Sequence, residues 1–300
     1  MPFSANAYQI AHYCLLDSLA CALDALEHPE CTKLLGPLVA NTVVGDGARV
    51  PGTNFELDPF KAAFDIGTAI RWLDFNDAWF AAEGGHPSDN LGAVLATADW
   101  MSRRRDSARQ RPVLVRNVLA GLIKAYEIQG VLALENSLVK VGFDSMILTS
   151  VASTAVSAHL MGGSRQEIIN AVSNTLMDGA PLRLYRKGKY TGWRKSWAAG
   201  EATSRGVLHA LFALRGEMGY PQVLSAPQWG FCDVLMRGKP LVLAQKLGSH
   251  IVEHILLKVP FPALFHGQTA SECAMRLHPL VRHRIGDIKA VHIRTHERAK

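Results

Sequence analysis

The chain has 300 residues, 48% of them hydrophobic and 19% charged, with a formal net charge of +6. That length and apolar content support a large packed core and exclude a disordered chain, while the lack of a long uninterrupted apolar run excludes a membrane span. The positive charge permits nucleic-acid binding, but neither zinc-ligand spacing nor aromatic and basic interleaving accompanies it, so no nucleic-acid partner is expected.

The N-terminus enters helical periodicity within a few residues, over about Ala7 to Leu26, with small and large side chains alternating. It lacks a basic n-region followed by a cleavage site, and an earlier helix is expected ahead of it. Residues 41–59 are rich in Gly and Pro and predict a loop with at most a short extended piece. Pro59 suits a first helical turn, and the pattern then continues through KAAFDIGTAIRWLDF.

The stretch from Arg71 to Asn90 concentrates chemistry. Asp74, Asp77 and His86 lie there with Trp72 and Trp79, and Gly84-Gly85 predicts a loop between them. Pro87 biases His86 away from helical geometry, and Ser88 and Asp89 are placed to cap a helix carrying Leu91, Val94, Leu95, Ala98 and Met101. A histidine near acids and a positive helix end fits proton transfer on an anionic substrate. The same residues also fit a packed loop with a satisfied histidine.

Helices are predicted over about 87–102, 112–134 and 147–161, with a solvated connection between the first two, where six arginines fall from Arg103 to Arg116. Another helix opens with the capping pattern Ser164 to Glu167 and runs to Thr175. Residues 178–197 form an irregular segment crowded with Arg183, Arg186, Lys187, Arg194 and Lys195, before a small-residue helix over 198–215. Residues 219–230 read as a Pro-punctuated connection, and short extended stretches are expected after it. Pro260 and Pro262 stiffen the loop that presents Lys258 and His266. A helix over 269–278 and an unpartnered strand-like alternation over 288–296 close the pattern. Five cysteines, Cys14, Cys21, Cys31, Cys232 and Cys273, without a CxxC pair, point to a reducing compartment and to no metal cluster.

The run RWLDFNDAWFAAEGGHPSDNLGAVLATADW, with AHYCLLDSLACALDALE, RVPGTNFELDP, RKSWAAGEATSR and KVPFPALFHGQTA, resembles the MmgE/PrpD family of cluster-independent dehydratases. The resemblance covers essentially the whole chain. It implies a mainly α fold, with a large helical domain over 1–266 and the beginning of a small, incomplete α/β lid domain over 267–300. It also implies a homodimer, a basic cleft, no metal and no organic cofactor. The implied reaction removes water from a tricarboxylate, 2-methylcitrate, in propionate catabolism. Citrate dehydration, cis-aconitate decarboxylation and an inactive helical dimer scaffold stay open.

Carried over, the family's site falls on Asp74, His86, Lys195 and His266 as catalytic residues and on Lys258 as a substrate contact. Arg183 and Arg186 are added as candidate substrate-holding cations for a tricarboxylate. The family commonly has threonine where this chain has Ala78, which implies a hydroxyl lost close to the substrate. The compartment expected is the cytoplasm or, alternatively, the mitochondrial matrix.

Overall fold

The computed structural model describes residues 3–104 and 113–295. Most of the arginine-rich connection, including Pro112, lies outside the described residues. Helix α1 (Ala5–Ala25) starts at Ser4, whose hydroxyl accepts from the Ala7 N–H at 2.9 Å. It buries Ala7, Ala11, Cys14, Ser18 and Ala25, a helical stripe of small residues that lets other helices approach closely. A short α2 (Pro29–Thr32) follows, then an antiparallel pair of β1 (Ala48–Arg49) and β2 (Glu56–Leu57) in the expected loop.

Helix α3 (Pro59–Arg71) has Pro59 in its first turn and Asp58 as its cap, accepting from the Lys61 N–H at 3.0 Å. It stops at Arg71 and so does not run on to Phe75 as the periodicity predicts. Next come β3 (Trp79–Phe80) and β4 (Gly84–Gly85), α4 (Leu91–Arg103), α5 (Val115–Glu135), α6 (Met146–Leu160) and α7 (Arg165–Met177). The capping box of α7 forms as predicted, with Ser164 and Glu167 each bonding the other's backbone N–H. Helix α8 (Arg194–Leu214) begins four residues earlier than expected, so Lys195 stands on a helical turn.

The core is a stack of helices in which α3 lies against α8, and α8 against α6 and α7. Small residues allow it. A Cβ on Gly67 would lie 3.0 Å from Gly200 Cα, and one on Gly200 would collide with Thr68 Oγ1 and the Phe64 carbonyl. Gly200→Ala should therefore lower the unfolding free energy by about 1–3 kcal/mol in urea denaturation. An unchanged midpoint would show that α3 and α8 can separate freely.

Beyond α8 the chain is irregular. Residues 219–230 form successive turns, as a Pro-punctuated connection should, but the extended stretches expected after them do not pair into strands over 231–249. Short helices α9 (Phe231–Val234) and α10 (His250–Glu253) precede a bridge between Ala78 and Leu256. Helix α11 (Gln268–Val281) has no buried residue, and residues 288–295 are exposed and unpaired. The strand-like alternation read there has no neighbour among the described residues and forms no strand, since a strand needs a neighbour for its backbone bonds. Among the described residues no helix is long and apolar enough to cross a membrane.

Candidate active site

The site forms where α3 ends. Asp74, three residues past Arg71, takes a left-handed conformation with φ of 60°, which a short polar side chain tolerates better than most. Its Oδ1 accepts from Arg71 Nη1 at 2.5 Å, and its Oδ2 accepts from Lys195 Nζ, on the first turn of α8, at 2.9 Å. Lys258 arrives along the chain just past the Ala78–Leu256 bridge. It donates from Nζ to the Asp74 carbonyl at 2.8 Å and lies 3.4 Å from Oδ1.

His86 completes the cluster, with Nε2 3.7 Å from Asp74 Oδ1. Its Nδ1 lies 2.5 Å from the Asp77 carbonyl oxygen. A carbonyl only accepts, so Nδ1 carries the proton and the neutral ring leaves its Nε2 lone pair toward Asp74. Four of the sequence-predicted residues, Asp74, His86, Lys195 and Lys258, are thus brought together from distant parts of the chain.

The other three are placed differently. Arg183 and Arg186 approach Asp144 Oδ2, at 3.4 and 2.6 Å, and neither pairs with Asp74. His266 packs against the rings of Phe80 and Phe265, with centroids 5.6 Å away in each case. Its neighbour Leu264 lines a cleft of about 640 Å³ together with Arg71, Trp72, Asp74, Trp193 and Lys195. Ala78 is fully buried with its backbone paired to Leu256, so its side chain is not among the groups lining that cleft.

Ser88 and Asp89 do not cap α4 as the sequence predicts. They lie in a buried 3-10 turn, Pro87–Asn90, and turn inward. Ser88 Oγ donates to Asp77 Oδ1 at 2.6 Å, while Asn76 Nδ2 donates to Ser88 Oγ at 2.8 Å and to Asp89 Oδ1 at 3.1 Å. An N–H in the first turn of α4, that of Ala93, is satisfied from α8 by Thr203 Oγ1 at 2.8 Å. The sequence reading missed Arg71, Asn76 and Asp89 as supports of the site; the spacing of Arg71 and Asp74, three residues apart, was the available signal.

Charge follows geometry. Burial alone would raise the Asp74 carboxyl, but the charges of Arg71, Lys258 and Lys195 outweigh it and hold Asp74 far below the usual carboxylate range. Burial pushes His86 well below the ordinary imidazole value, with Arg71 adding and Asp74 opposing, so the ring is neutral at pH 7. Burial lowers Lys258 too, against the attraction of Asp74. Behind them burial raises Asp77, and it raises Asp89 to about 7 against the pull of Arg71.

The Asp89 shift gives a signed expectation. Its folded value lies above its unfolded one, so the stability it contributes is complete below about pH 4 and is lost as pH rises through about 7. Asp89→Asn should gain on the native chain by about 1 kcal/mol between pH 6 and pH 8 in paired denaturation curves. Parallel curves for the two proteins would show that Asp89 ionises freely.

The arrangement joins one ionised carboxylate, three basic side chains and a neutral imidazole, with Arg71, Asp74 and Lys195 lining the cleft and Lys258 and His86 packed behind them. It can hold a polyanion and move a proton beside it. Among the described residues no three His, Cys, Asp or Glu side chains are grouped to hold a metal ion.

The chain is similar in sequence to known proteins. The chain is 57% identical over 97% of its length to the 2-methylcitrate dehydratase of Escherichia coli O157:H7, covering 61% of that protein. It is 57% identical over 98% of its length to the 2-methylcitrate dehydratase of Cupriavidus necator, again covering 61%. With the mitochondrial 2-methylcitrate dehydratase of Yarrowia lipolytica it shares 48% identity over 99% of its length and 58% of that protein. The chain therefore spans about three fifths of the length of these curated relatives. Residues 2–244 match the MmgE/PrpD N-terminal domain, and the chain belongs to the MmgE/PrpD family.

Proposed function

We propose that this chain carries the helical part of a 2-methylcitrate dehydratase, which eliminates water from 2-methylcitrate to give 2-methyl-cis-aconitate. The observation that carries the reading is the Asp74 carboxylate held among Arg71, Lys195 and Lys258, with His86 Nε2 3.7 Å from it. A tricarboxylate needs several cations, and its carbon-bound proton is acidified only if the charge developing beside a carboxylate is neutralised.

In this reading Lys195 and Lys258 receive substrate carboxylates, taking over contacts now made to Asp74. His86 removes the proton from the methyl-bearing carbon, and Asp74 orients the ring and stabilises its protonated form. The hydroxyl leaves the neighbouring carbon with a proton from His266, so one water departs and a carbon–carbon double bond forms. Arg183 and Arg186, tied to Asp144, add positive potential behind the site. No metal or organic cofactor takes part.

Residues 1–266 form the helical domain and 267–300 begin an α/β lid domain, a division supported by the absence of buried residues in α11. The working assembly is a homodimer, which light scattering tests directly. Its compartment is the cytoplasm in a bacterium and the mitochondrial matrix in a eukaryote.

Proton NMR of the products formed from 2-methylcitrate, citrate and cis-aconitate tests the reaction. The expected result is 2-methyl-cis-aconitate from 2-methylcitrate. Itaconate and CO₂ from cis-aconitate would replace dehydration by decarboxylation, turnover confined to citrate would change the substrate, and no product from any of the three would favour a scaffold role.

A further inference from the structure

The cleft has two unlike walls. One carries Arg71, Asp74 and Lys195, with Lys258 behind them. The other is a stack of two indoles, Trp72 at the end of α3 and Trp193 just before α8, with ring centroids 5.0 Å apart and planes 17° from parallel. Ser196 Oγ donates to the Trp72 carbonyl at 3.1 Å and ties the two helix ends together. Trp72 is 5% exposed, whereas Trp193 is 54% exposed and sits two residues from Lys195 along the chain.

Leu73, Phe75 and Leu264 line the same cleft. This wall offers an apolar face and no cation. A tricarboxylate with two carboxylates held by Lys195 and Lys258 can turn an apolar substituent toward it.

On the reading of the site given above, 2-methylcitrate differs from citrate by one methyl group, on the carbon that loses its proton. We propose that Trp193, braced by Trp72, is the specificity-determining residue that receives this methyl group and makes the site prefer an alkyl-substituted citrate over citrate itself. The indole covers the methyl group and removes it from water, while citrate leaves the same face without a partner. Contact of one such group with an apolar wall discriminates by about tenfold or more. The stack supplies rigidity, since Trp193 laid over Trp72 loses little freedom when a ligand arrives.

Isothermal titration of 2-methylcitrate and citrate into the native chain, Trp193→Ala and Trp193→Phe tests the proposal. The native chain should bind 2-methylcitrate about tenfold tighter than citrate. Trp193→Ala should weaken 2-methylcitrate about tenfold and citrate less than about twofold, and Trp193→Phe should restore the preference. Equal affinity for both ligands in the native chain, or a preference unchanged in Trp193→Ala, would overturn the inference and leave the dehydratase reading standing. No binding of either tricarboxylate to the native chain would overturn both. Circular dichroism of each variant confirms that a lost preference is not a lost fold.

Discussion

Asp74→Asn should destabilise the chain by about 3–5 kcal/mol, the cost of stripping a counter-charge from buried cations. Arg71 and Lys258 are 3% exposed and depend on the Asp74 carboxylate for neutralisation. Lys195, more exposed, adds little to that cost. The asparagine keeps an acceptor but not the charge, so the two buried cations repel each other across a site that water enters poorly. Urea denaturation measures the loss. If the cluster receives a polyanion, adding a tricarboxylate should recover part of the lost stability in Asp74→Asn, because ligand carboxylates replace the missing charge. A loss under about 1 kcal/mol would mean that the cations are hydrated and that Asp74 does not hold the cluster together.

The second large effect is on turnover. His86→Gln should lower the rate of water elimination by about 10²–10⁴-fold, the usual contribution of a positioned proton-transfer group. Glutamine retains an N–H able to reach the Asp77 carbonyl but has no basic lone pair to offer the substrate. Stability should change little, which separates this variant from Asp74→Asn. Progress curves of ultraviolet absorbance, following the new conjugated acid, supply the measurement. A rate near that of the native chain would remove His86 from the mechanism.

Much of this was legible in the sequence because the decisive signals are local. Pro59 and the Ser164–Glu167 pair mark helix starts through first-turn chemistry, and the helical periodicity that follows them needs no tertiary knowledge. Asp74 and His86 stand out as an acid and an imidazole beside a chain break and a helix start. Lys195 and Lys258 carried no local sign of converging on them, and only the family resemblance brought the four together.

What stayed hidden depends on partners far along the chain. Gly84-Gly85 reads as a loop, yet it pairs with Trp79 and Phe80 as a strand. Ser88 and Asp89 read as caps, yet Thr203 from α8 satisfies an N–H of α4 and frees them for the buried network. Arg71 reads as an ordinary helix-ending cation, and only its burial beside Asp74 and Asp89 marks it as part of the site. The alternation at 288–295 looks like a strand because periodicity reports a side-chain pattern, whereas a strand exists only with a neighbour.

The central claim is that the Asp74 cluster is a binding site for a tricarboxylate. The most direct measurement is calorimetric titration of 2-methylcitrate into the native chain and into Lys258→Gln. The account predicts saturable one-to-one binding to the native chain, weakened at least about tenfold in Lys258→Gln because a buried charge-assisted contact is lost. Binding of equal strength in both proteins, or none in the native chain, would contradict it.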